Sequence, residues 1–168
     1  VNVHVDAIAP DAIADLAAAR GTNQGEIDLT WTATGDDQDQ GTATSYEVRI
    51  SSTVFTAQTW GIGTAPADTL PTPAAAGAAE NVTLTGLAPG TTYYIGILAI
   101  DDLGNRSLAS AIVAEKAKDT TPPAISFTGP ADGTHHRLTV NITANASDNV
   151  AVVEVNLYVD EGLVATDT

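Results

Sequence analysis

The sequence predicts an all-β chain built of antiparallel β-sandwich modules in tandem. Three observations predict it. Apolar and polar residues alternate with a period of two over many short runs, Gly, Pro, Asp and Asn clusters divide the runs, and a Pro-Pro pair interrupts the pattern before it restarts. A period of two puts every second side chain on one face of a strand. Short strands with turn signals between them read as a sandwich.

Taken in order, Val1, Val3 and Val5 alternate with Asn2, His4 and Asp6, and residues 1–9 read as the end strand of a preceding module or a linker. Residues 11–20 are Ala-rich and carry high helix propensity, but their place ahead of a run of strands predicts an extended first strand. Strands follow at Ile27-Asp28-Leu29-Thr30-Trp31-Thr32 and Tyr46-Glu47-Val48-Arg49-Ile50. Residues 54–60 predict one helical turn, and 74–79, behind Pro71 and Pro73, a loop. Val82-Thr83-Leu84, the long run 93–100 and Ala111-Ile112-Val113 complete this module, which spans 10–118. Residues 119–123 end in Pro122-Pro123, whose rings remove two backbone donors and keep the chain extended, as suits a stiff linker. Strands are expected again at 125–127, 138–144, 153–159 and 163–165.

Composition narrows the function. Hydrophobic residues make up 43% of the chain and aromatics only 5%, which fits compact modules with modest cores. The net charge is −15, and it is spread along the chain: fifteen acids and five bases through Asp119, six acids and one base beyond it. An acidic surface repels phosphate backbones and anionic membranes, so nucleic acid is not an expected partner. It favours solubility and divalent cations. Without Cys there is no disulfide framework, thiolate site or cysteine nucleophile. No apolar run approaches the roughly 20 residues of a membrane-spanning helix. The sequence shows no signal-peptide pattern and no Met, and so reads as a processed or excised piece.

Residues spread over 10–118 carry a resemblance to the fibronectin type III family: Asp15-Leu16, Leu29-Thr30-Trp31, Ser45-Tyr46-Glu47-Val48-Arg49 and above all Leu87-Ala88-Pro89-Gly90-Thr91-Thr92-Tyr93. The last stretch resembles a tyrosine corner, in which a Tyr hydroxyl bonds backbone upstream of its strand. From 121 to 168 the chain is similar to the opening half of a bacterial immunoglobulin-like repeat, through Pro122-Pro123, Pro130-Ala131-Asp132-Gly133, Ala146-Ser147-Asp148-Asn149 and Tyr158-Val159-Asp160. Both resemblances imply immunoglobulin-like sandwiches, with residues 124–168 a partial domain. They also imply spacing, adhesion or substrate-presenting roles in secreted or cell-surface bacterial proteins, without catalysis.

The residues themselves give little chemistry. The three histidines, His4, His135 and His136, read as surface residues. Neither a Gly-x-Ser-x-Gly elbow nor a His-Glu-x-x-His pair occurs. No catalytic or cofactor-binding residue is expected. Calcium is the one cofactor to weigh. Gly35-Asp36-Asp37-Gln38-Asp39-Gln40-Gly41 places three carboxylates within four positions, and hard cations take such oxygens. In the fibronectin topology Asp101 and Asp102 fall at the same end of the sandwich. The competing reading is of solvated turns, where Asp, Asn and Gly are expected anyway. A weaker group is Asp119, Asp148 and Asn149 at the domain junction. The sequons at Asn81, Asn105, Asn141 and Asn145 read as chance, and Trp60 as a cap on the sandwich edge more than a sugar platform. The expected function is that of spacer or interaction modules of a secreted or cell-surface protein, with calcium as the candidate stiffening ion. Their expected partners are surface protein, polysaccharide or neighbouring modules. Two alternatives stand: an accessory region presenting substrate to a secreted hydrolase (a serine protease or polysaccharide-degrading enzyme), and an adhesin or filament subunit completed by strand donation.

Overall fold

The structure is a computed structural model and describes residues 7–168; the expected opening strand and His4 lie outside the described residues. The chain forms two compact units, one ending at Asp119 and the other Thr120–Thr168.

In the first unit the period-two runs become two antiparallel sheets. One orders β1 (Ala17–Arg20), β2 (Ile27–Thr32) and β4 (Ala79–Leu84) as β1-β2-β4. The other orders β3 (Ser45–Ser51), β5 (Thr92–Ile100) and β6 (Val113–Lys116) as β3-β5-β6. Alternation sends Ile27, Leu29 and Trp31 of β2 inward together with Tyr46, Val48 and Ile50 of β3, opposite Ala99, Ile97 and Ile95 of β5 in the register. Ile27, Leu29, Leu84, Ile95 and Ile97 have no exposed surface at all. Burying each such aliphatic side chain contributes about 1.5–3 kcal/mol. Trp31 and Tyr46 meet edge to face, with centroids 5.2 Å apart.

Two ladders begin later than their sequence pattern predicts, for one reason. A polar side chain holds the amide that a ladder would use. At β1, register would put Asp15 opposite Thr32, but the Asp15 carboxylate accepts the Thr32 N–H at 3.0 Å and its hydroxyl at 2.6 Å. Strand pairing therefore starts at Ala17, and residues 11–16 stay extended while sinking Ile13 and Leu16 into the core. On β5, the N–H groups of Ile97 and Ala99 donate to the hydroxyls of Ser110 and Ser107, at 3.1 and 2.9 Å. The last strand consequently runs Val113–Lys116 instead of the expected 111–113.

Between β3 and β4 the chain makes a long excursion. Its helical turn is a 3-10 segment, Ala57–Ile62. A single antiparallel bridge, Ile50 to Thr64, returns the chain to the edge of β3. Trp60 lies on the outer face of β5 over Gly96, where a Cβ would come within 2.7 Å of the indole and 2.6 Å of Ile112. Farther on, Leu70 packs against the core and Asp68 accepts from the Thr85 N–H and hydroxyl, so this segment is fastened to both sheets.

The second unit contains two hairpins. β7 (Ala124–Gly129) pairs with β8 (Thr143–Ser147), and β9 (Val155–Val159) with β10 (Gly162–Asp167). The turn between β9 and β10 sets Asp160 and Glu161 at φ of 48° and 66°, the left-handed pair that suits a two-residue hairpin. The strand expected at 138–144 starts only at Thr143, and Leu138 is 90% exposed. Alternate residues of both hairpins, among them Ile125, Phe127, Ala144, Ala146, Val155 and Leu157, line one open cleft of about 430 Å³. Phe127 remains 70% exposed and Val153 82%, and the buried hydrophobic residues of the described chain all precede Thr120.

These observations make Trp31 the test of the first core. Trp31→Ala is expected to lower unfolding stability by about 3–5 kcal/mol, measured by urea denaturation. A loss below about 1 kcal/mol would mean that the indole is not packed between the sheets, since surface changes cost that little.

Candidate functional site

The acidic loop between β2 and β3 is shaped by its own backbone. Gly35 N–H donates to the Gln38 carbonyl at 2.9 Å, Asp36 N–H to the Gln40 carbonyl at 2.7 Å, and Gln40 N–H to the Asp37 carbonyl at 2.9 Å. Gln38 takes a φ of 58° and Gly41 one of 79°, which close the loop tightly. Gln38 also exchanges backbone bonds with the incoming segment: its N–H donates to Ala9, and its carbonyl accepts from Asp11. Asp37 and Asp39 point outward, and Asp39 accepts from its neighbour Gln40 at 2.7 Å. Asp39 also lines an open cleft of about 570 Å³ with Asp11, Asp15 and Thr34. Asp36 is half-buried.

Asp101 has a different task. It is 2% exposed, and its two oxygens accept from the N–H groups of Leu103 and Asn105 and from the Asn105 side-chain amide, at 3.0, 2.7 and 2.7 Å. Burial pushes its carboxyl upward, but these donors outweigh burial and hold the pKa below the ordinary value. The carboxylate thus braces the turn after β5 from inside, while Asp102 faces solvent. Among the described residues, no group of three or more His, Asp or Glu side chains is placed to hold a metal ion. Asp36, Asp37 and Asp39 are therefore not gathered with Asp101 and Asp102 into such a group.

The residues weighed at the junction belong to different units. In the first, Asp119 accepts from Gln24 at 3.1 Å. In the second, Asp148 accepts from the N–H groups of Val150 and Ala151 at 2.8 and 3.0 Å, an Asx turn, and Asn149 is exposed. His135 and His136 are exposed.

Two polar networks went unread in the sequence. On the outer face of β3, Glu47 accepts from Trp60 Nε1 at 2.7 Å and Arg49 Nε at 2.8 Å, and pairs with Arg106. Burial raises the Glu47 pKa, but the Trp60 and Arg49 hydrogen bonds and the two guanidinium charges overcome that and hold it low. At the core edge, the Tyr46 hydroxyl donates to Glu80 at 3.1 Å, and the same carboxylate oxygen accepts the Ala74 N–H at 2.5 Å. Burial, reinforced by the Glu80 charge, pushes the Tyr46 phenol up to about 12. Glu47 and Arg49 are the polar positions of an alternating strand, and nothing local announces that Trp60 and Arg106 converge on Glu47.

Ahead of β5, the Ala88 N–H donates to the Tyr93 hydroxyl at 3.1 Å, as a tyrosine corner requires. The model of the fibronectin type III domain matches residues 11–115. The chain belongs to the fibronectin type III family. A bacterial Ig domain model matches residues 123–168, in the order the sequence pattern implies. A stretch of 48 residues, 29% of the chain, is 50% identical to human calcium-activated chloride channel regulator 2, and it spans only 5% of that protein's length.

Within the fibronectin type III unit, the Glu47 network has a definite pH signature. A carboxylate whose folded pKa lies below its unfolded value of about 4.3 stabilises above that value, and the contribution is lost as pH falls through the folded pKa. The stability difference between wild type and Glu47→Gln is therefore expected to be full at pH 7 and to shrink below about pH 4; a difference that stays constant over this range would assign the effect to packing alone. The calcium reading has its own measurement, melting with chelator and with excess calcium. If Asp36, Asp37 or Asp39 binds calcium together with Asp101 or Asp102, chelator is expected to lower Tm, because a ligand held only by the folded state stabilises it; coinciding curves would leave these residues as plain acidic turns.

Proposed function

We propose that this chain supplies spacer and interaction modules to a secreted or cell-surface protein. Fibronectin type III and bacterial Ig domains are typically non-catalytic modules. No helix of the described residues is long and apolar enough to cross a membrane. The observation that carries the reading is the tandem itself: two modules of the immunoglobulin-like kind in succession, the first with a filled core. Support for a passive mechanical role comes from how the polar groups are spent. Asp101, Glu47 and Glu80 each accept internal donors, so they serve rigidity before recognition. A module exchange tests this. Replacing residues 11–115 in the parent protein with an unrelated fibronectin type III domain should preserve the parent's activity if the module is a spacer. Loss of activity with normal folding would instead make its surface a specific docking or substrate-presenting site, as an accessory region of a hydrolase would need.

The open cleft of the second unit favours an addition to this reading. We infer that further β-strands close it in the working protein, supplied by the same polypeptide first and by a donor chain second. Both hairpins are two-stranded sheets with bare edges, and their apolar faces are left open. Hydrogen exchange on the native protein distinguishes the sources. Protection of the β7 to β10 amides that does not depend on protein concentration is expected for strands of the same polypeptide. Concentration-dependent protection would point to donation, and unprotected amides would overturn the inference.

A further inference from the structure

We draw no further inference here: the strongest candidate, the open apolar cleft between the two hairpins of the second unit, belongs to the reading already given, and nothing among the described residues shows what else covers it.

Discussion

The first unit depends on the burial of β2 against β5. These two strands contribute Ile27, Leu29 and Trp31 from one sheet and Ile95, Ile97 and Ala99 from the other, all nearly or wholly removed from water. Each is also the central strand of its sheet, so every other strand is placed by pairing to one of them. The driving force is non-directional and scales with apolar area, which is why alternation alone suffices to bring the sheets together. It does not fix where each ladder ends.

Polar side chains fix those ends. Asp15 takes the Thr32 amide, Ser107 and Ser110 take two amides of β5, and Asp101 takes the amides of the turn that follows. A buried N–H without a partner costs about 1–3 kcal/mol, so an amide leaving the ladder has to be met by another acceptor. Ser, Asp and Asn are suited to this because their short side chains reach nearby backbone. Glu80 extends the logic inward. By accepting from both the Tyr46 hydroxyl and the Ala74 N–H, it ties the loop before β4 to the aromatic pair in the core. Glu47 does the same on the outside for the segment carrying Trp60.

This division explains what could be read in advance. The strands, the core Trp31 and the tyrosine corner were legible because each is written locally, as an alternation or a turn motif. Strand bounds at Ala17 and Val113 were not, because they depend on which side chain captures which amide across the sheet. Trp60 read as a cap on the sandwich edge, whereas it lies over Gly96 on an outer face; its partner Glu47 is 13 residues away in sequence, and Arg106, which pairs with the same carboxylate, is 59 from Glu47. The acidic loop was legible only as composition, which fits calcium coordination and a solvated turn alike. The side-chain hydrogen bonds that turn Asp101 inward depend on the turn after β5.

The second unit obeys the same alternation without the same result. Ile125 and Phe127 share a face of β7, and Val155 and Leu157 a face of β9, as the period of two demands. Yet a unit of about 50 residues buries little more than half the surface its unfolded chain exposes, and this one has no cysteine to cross-link it. Each of its strands has one paired edge and one bare edge, a condition that invites pairing with other strands. In the first unit Thr64 bridges to Ile50 of β3, and Asp68 and Ala74 tie the segment before β4 to Thr85 and Glu80. Alternation therefore specifies which face of a strand seeks cover, but the cover itself comes from strands on the opposite sheet. In the fibronectin type III unit that cover is complete enough to fill a core; in the second unit Ile125, Phe127, Val153 and Leu163 stay exposed.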